Sequence, residues 1–115
     1  MKKTNAAAAQ LPAAYRRLRA RLGQIDWIAL GSVLERGLPG QGGPRYQWSR
    51  RVQGKTVTVA LSPAQFDWLK VAIANQREAE ALLSRMHQLS LQYMWKKLPS
   101  TTRRKRLSRR TLGLN

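Results

Sequence analysis

Ser62-Pro63-Ala64-Gln65 opens a run that meets no further glycine or proline until Pro99, and that run limits the folds open to the chain. Ser at N-cap, Pro at the first helical position and Gln at the third form a capping box, which satisfies the free amides of a helix start. Carried to Leu98, the helix is roughly 50 Å long at about 1.5 Å per residue. A small sheet cannot cover such a helix, so its far half needs another partner.

The residues just upstream predict that sheet. Arg45 to Val52 and Lys55 to Leu61 alternate as two strands around Gln53-Gly54, a two-residue loop with Gly where a positive φ is wanted. Pairing Val52 with Lys55 sets Tyr46 opposite Leu61, Trp48 opposite Val59 and Arg50 opposite Val57 on one face. Gln47, Ser49, Arg51, Thr56, Thr58 and Ala60 form a wet, basic opposite face. Ile25 to Leu34 suits either a helix or a strand by period, and a third strand is the expectation, because a lone hairpin is marginal in water. The glycine- and proline-rich stretch from Gly37 to Pro44 reads as a connecting loop.

Along the helix the apolar pattern changes. Phe66, Leu69 and Ile73 make a short stripe suited to the sheet, whereas Trp68, Ala72, Asn75, Ala79, Leu82, Met86, Leu89 and Tyr93 repeat as a heptad seam. Two occupants suit Leu82, Met86, Leu89 and Tyr93: a second copy of the chain, or an N-terminal helix with Leu11, Tyr15, Leu18 and Leu22 on one side and Gly23 as its stop. The fold class expected is α+β: a small antiparallel sheet, one long helix, a basic N-terminal helix and a disordered basic C-terminal tail. Its divisions are an N-terminal lead and helix over 1–23, a core over 24–98 and a tail over 99–115.

Charge separates the ends from the middle. Of the formal net charge of +17, residues 24–94 hold eight basic residues against all five acids, Asp26, Glu35, Asp67, Glu78 and Glu80. Every other charged residue is basic. The tail concentrates Arg103, Arg104, Lys105, Arg106, Arg109 and Arg110, while Arg17 and Arg21 lie opposite the apolar stripe of the N-terminal helix, with Arg16 and Arg19 nearer its flanks. Such ends suit a polyanion, because cations placed on phosphates release condensed counterions. An anionic membrane surface offers similar electrostatics. No segment approaches the roughly 20 apolar residues of a membrane span, and the Met1-Lys2-Lys3 start with four alanines is too weak for a signal peptide. A soluble cytoplasmic protein is expected.

Several chemistries find no support in the residues. With no cysteine there is no disulfide frame, cysteine-ligated zinc or thiol nucleophile. His87, the only histidine, has no convergent ligands by helical register, and the five acids form no evident acid/base pair. Gly54-Lys55-Thr56 matches the end of a phosphate-binding loop, but that motif requires Gly at position 49, where Ser stands, and a following helix. No catalytic residue, metal or cofactor is expected. Of the four tryptophans, Trp48 reads as core, and Trp95 beside Lys96 and Lys97 is the best base-stacking candidate, although packing outweighs stacking even there.

From about Gly31 to Gln92 the chain resembles a small uncharacterised bacterial family often encoded near transposase genes. The resemblance rests on Gly31-Ser32-Val33-Leu34-Glu35-Arg36, Gly43-Pro44-Arg45-Tyr46, Arg51-Val52-Gln53-Gly54-Lys55-Thr56-Val57-Thr58-Val59, and a helix containing Asn75 and Glu80-Ala81-Leu82-Leu83. It implies a strand over Ile28 to Leu34 and an association with mobile elements. Many members carry a cysteine-rich loop before the Gly-Pro-x-Tyr segment; this chain has Leu38-Pro39-Gly40-Gln41-Gly42, so no metal role carries over.

The resulting expectation is a non-enzymatic accessory protein that binds nucleic acid, DNA rather than RNA. Its phosphate contacts would come from the tail cations, from Arg16, Arg17 and Arg21, and from Arg51 and Lys55 of the hairpin. A second copy of the chain or a transposase is the expected protein partner. Contacts to phosphate position a protein without reading bases, so weak sequence preference is expected. The rival readings are a dimerising adaptor built on the heptad seam and an RNA- or ribosome-binding protein.

Overall fold

The computed structural model describes residues 11–37, 43–102 and 105–115. Five elements follow in order: α1 (Ala13–Leu22), β1 (Ser32–Glu35), β2 (Tyr46–Val52), β3 (Lys55–Leu61) and α2 (Pro63–Lys97). The strands form one antiparallel sheet in the order β1-β2-β3, giving the α+β architecture expected. The predicted lead over 1–10 lies outside the described residues.

Local chemistry builds the hairpin and the helix start. Gln53 and Gly54 both take positive φ, 49° and 80°, as the tight turn between strands with right-handed twist requires. The register pairs Val52 with Lys55, Trp48 with Val59 and Tyr46 with Leu61. At the start of α2, Gln65 N donates to Ser62 Oγ at 3.1 Å and Ser62 N donates to Gln65 Oε1 at 2.9 Å, the reciprocal capping box.

The chain groups into two compact units, and α2 contributes to both. Residues 25–79 hold the sheet and the first half of α2. Here Phe66, Ala72 and Ile73 are buried, and the Phe66 ring lies 4.6 Å from that of Tyr46. The sheet-facing stripe read from the sequence is therefore the covered one. Arg50 shares this face; its guanidinium sits 4.1 Å over the Trp48 ring, an attraction to the ring quadrupole that makes the position tolerable. Where β1 meets β2, Arg45 bonds Glu35 at 3.2 Å. That bond, followed by the charge of Tyr46, raises the Arg45 pKa above its ordinary value.

Only part of Ile25 to Leu34 is strand. Ser32–Glu35 pairs with β2, but the segment before Gly31 runs along α2 instead. Ala29 N donates to Ala72 O at 3.1 Å, Asn75 Nδ2 donates to Trp27 O at 2.9 Å, and Trp48 Nε1 donates to Leu30 O at 2.8 Å. These bonds take the place of a strand ladder. They also explain Asn75, the polar residue in the apolar seam.

The second unit comprises residues 1–24 and 80–115. Leu11, Tyr15, Leu18 and Leu22 are the half-covered residues in and before α1, while Arg16, Arg17, Arg19 and Arg21 are exposed. Gly23 ends the helix in a right-handed conformation, its amide bonded to Arg19 O.

The tail departs from the disorder expected of it. Ser108 Oγ accepts from Thr111 N, Gly113 N donates to Arg110 O, and Leu114 N donates to Arg109 O at 2.8 Å. With Gly113 at φ 79°, this is a single helical turn with a Ser N-cap and a Schellman close. Repulsion among its arginines is offset by these caps and by Leu112 and Leu114, both half-buried. Arg103 and Arg104 lie outside the described residues.

Gly31 puts this packing to the test. It has φ +99°, and an added Cβ would stand 2.5 Å from Ser49 O and 2.7 Å from Trp48 Nε1. Gly31→Ala should lose at least about 2 kcal/mol in urea denaturation, whereas Gly37→Ala, with nothing within 4 Å, should stay within about 0.5 kcal/mol of the parent.

Candidate nucleic-acid interface

Four pieces of chain bring cations to the unit formed by residues 1–24 and 80–115: α1, the second half of α2, the end of α2 and the C-terminal turn. Its described basic residues are Arg16, Arg17, Arg19, Arg21, Arg85, Lys96, Lys97, Lys105, Arg106, Arg109 and Arg110, against Glu80 alone. All are exposed. Residues 25–79 instead hold seven basic residues against four acids. Folding thus gathers into one body the two basic ends that lie far apart in sequence.

Some of these cations also serve the helices. Arg19 and Arg21 lie in the last turn of α1, and Lys96 and Lys97 in the last turn of α2, where positive charge complements the helix dipole. Arg16 Nη1 donates to Leu11 O at 2.7 Å, which helps close the start of α1. A dipole effect is spent within the last turn, so it leaves Arg85 and the arginines of the C-terminal turn unaccounted for.

The turn itself is held on α2. Trp95 Nε1 donates to Leu112 O at 3.0 Å, Gln88 Nε2 donates to Gly113 O at 3.0 Å, and Asn115 N donates to Gln88 Oε1 at 2.9 Å. Arg109 Nε reaches Asn115 O at 3.0 Å. The Trp95 indole, the stacking candidate, is therefore half-buried with its N–H engaged, in keeping with packing. The exposed indoles are Trp27 and Trp68, 73% and 51% accessible with ring centroids 6.3 Å apart. They belong to the other unit and stand next in sequence to Asp26 and Asp67.

Of the expected phosphate contacts, Arg16, Arg17, Arg21, Lys105, Arg106, Arg109 and Arg110 thus share one unit, and Arg103 and Arg104 fall outside the described residues. Arg51 and Lys55 belong to the sheet unit. Arg51 is fixed over the hairpin turn by bonds from Nη2 to Gly54 O at 2.6 Å and from Nη1 to Thr56 Oγ1 at 3.3 Å. Arg19, Arg85, Lys96 and Lys97 join the basic unit beyond the cations expected there. For Lys96 and Lys97 the position just before the Pro99 stop was the available signal.

The heptad seam is covered only in part, with Ala72, Ala79 and Leu82 buried and Trp68 exposed at 51%. Leu82 is 7% accessible, Met86 and Leu89 are half-buried, and Tyr93 is 41% accessible.

Other features give little chemistry. An open groove of about 320 Å³ is lined by Leu61, Ala64, Gln65, Trp68 and Leu69, without a titratable group. Among the described residues, no three His, Cys, Asp or Glu side chains gather where a metal ion could be held, and His87 is exposed. None of the described helices is long and apolar enough to cross a membrane. No protein-family model, curated protein or solved structure matches the chain.

Gly113 sets how the turn presents its arginines. Besides its positive φ, an added Cβ would stand 3.0 Å from Leu91 Cδ1. Gly113→Ala should release the turn, costing about 1 kcal/mol or more. The expected readout is faster hydrogen exchange at the Trp95 indole, with the helical circular dichroism nearly unchanged.

Proposed function

We propose that the protein is a non-enzymatic nucleic-acid-binding accessory protein that holds DNA, in preference to RNA, through phosphate contacts. The observation that carries this reading is charge segregation: one compact unit bears eleven described cations and one acid, while the other is close to balanced. Self-repulsion among so many like charges works against a compact state. A phosphate backbone relieves it and releases counterions at the same time. The resemblance noted in the sequence supports a mobile-element setting in the cytoplasm, with a transposase as partner.

The docked turn determines the variant to use. A chain ending at Leu98 would also strip the cover from Trp95, so Lys105, Arg106, Arg109 and Arg110 are better replaced together by Gln. Binding to duplex DNA, single-stranded DNA and RNA is measured across a salt series. The parent should bind duplex DNA tightest, with affinity falling steeply as salt rises and little dependence on sequence. The fourfold variant should flatten the slope of log K against log salt by about 3 to 4, at about 0.9 for each phosphate no longer neutralised. An unchanged slope removes the turn from the interface, and binding confined to RNA replaces the DNA reading.

A further inference from the structure

The two edges of the sheet are guarded unequally. The β1 edge is four residues long, follows the bend at Gly31 and carries Glu35 in its ion pair with Arg45. Short, charged edges of that kind resist pairing with another strand. The β3 edge runs seven residues, Lys-Thr-Val-Thr-Val-Ala-Leu, with its only charge at the first position and no proline or glycine. Such an edge is a template for a further strand.

Hairpin geometry says which backbone groups it offers. Val52 and Lys55 close the two-residue turn as a hydrogen-bonded pair, so bonded and non-bonded pairs alternate from there. Val57, Val59 and Leu61 then spend their amides and carbonyls on β2. Thr56, Thr58 and Ala60 direct theirs away from it, and all three residues are exposed. On the face that meets α2, Val59 remains 43% accessible, so the helix leaves this edge partly uncovered.

We propose that β3 pairs with β3 of a second copy, antiparallel about a two-fold axis through Thr58, joining two three-stranded sheets into one of six strands. This register matches outward-facing groups with outward-facing groups, Thr58 with the partner's Thr58 and Thr56 with the partner's Ala60. On the helix side it sets Val57 against the partner's Val59, a β-branched pair of the kind that stabilises antiparallel strands. Lys55 falls opposite the partner's Leu61, so no like charges are opposed. The contact is isologous and closes on itself. It also uses the less charged unit, with seven basic residues against four acids, where the approach of two copies meets less repulsion than the eleven described cations and one acid of the other would raise. The surface is distinct from the heptad seam, whose Leu82 is already covered, and the inference does not depend on what the basic unit binds.

The test is mass by light scattering on the full chain through the micromolar range. The parent should give twice 13.1 kDa. Thr58→Lys, which sets two lysines face to face across the axis, should give a single-chain mass with the same circular dichroism. Thr58→Pro removes one outward N–H and no backbone bond to β2, and like the lysine variant loses the side-chain bond to Ser49 Oγ; it should do the same, and Thr58→Val, which also lacks that bond, should keep the dimer. A parent that stays monomeric throughout the range overturns the proposal, as does a dimer that survives Thr58→Lys. If Thr58→Pro fails to fold, the lysine and valine variants decide the matter between them.

Discussion

A helix of 35 residues is about 52 Å long, whereas a seven-residue strand spans only about 24 Å at 3.4 Å per residue. The mismatch governs the rest of the structure. A three-stranded sheet covers the first half of α2 through Phe66 and Ile73, and the remainder must bury Leu82 against something else. The compact unit that includes that remainder recruits α1 from one end of the chain and the C-terminal turn from the other. Both are rich in arginine, so the unit that holds the far half of α2 also gathers the cations.

The polar residues that interrupt apolar surfaces have specific partners. Asn75 bonds the carbonyl of Trp27, Trp48 reaches across to Leu30, and Gln88 holds both ends of the Gly113–Asn115 close. Each ties a segment without regular structure to an element that has it. A buried amide or indole without such a bond costs about 1 to 3 kcal/mol, so these contacts specify where the connector and the turn lie. Arg50 is the exception in kind: its Nη1 is buried without a hydrogen-bond partner, and the ring of Trp48 supplies the compensation.

Two structural expectations needed revision, the first for a long-range reason and the second for a local one. The third strand is shorter than the alternation of Ile28, Leu30, Ser32 and Leu34 suggests, because Gly31 turns the chain at φ +99° and the carbonyls before it go to Asn75 and Trp48. Those are long-range bonds that no window of sequence contains. The tail was read from its charge alone, yet Ser108, Gly113 and Leu114 spell out a capped turn at the spacing such a turn requires. That signal was local and legible, but the six cations beside it outweighed it.

The sequence by itself determined the hairpin register, the start and end of α2, the stripe that meets the sheet and the uneven distribution of charge. Each depends on neighbours a few residues apart: a positive φ at Gly54, a reciprocal cap at Ser62 and Gln65, a proline at 99, a period of two or of 3.6. Tertiary structure alone decided that Leu82 is buried while Tyr93 stays exposed, which indoles stay exposed, and that Arg16, Arg17, Arg21 and the arginines of the C-terminal turn belong to one body. Those outcomes turn on burial between segments some 60 to 90 positions apart along the chain, and charge and periodicity carry no information about which distant segment fills a given face.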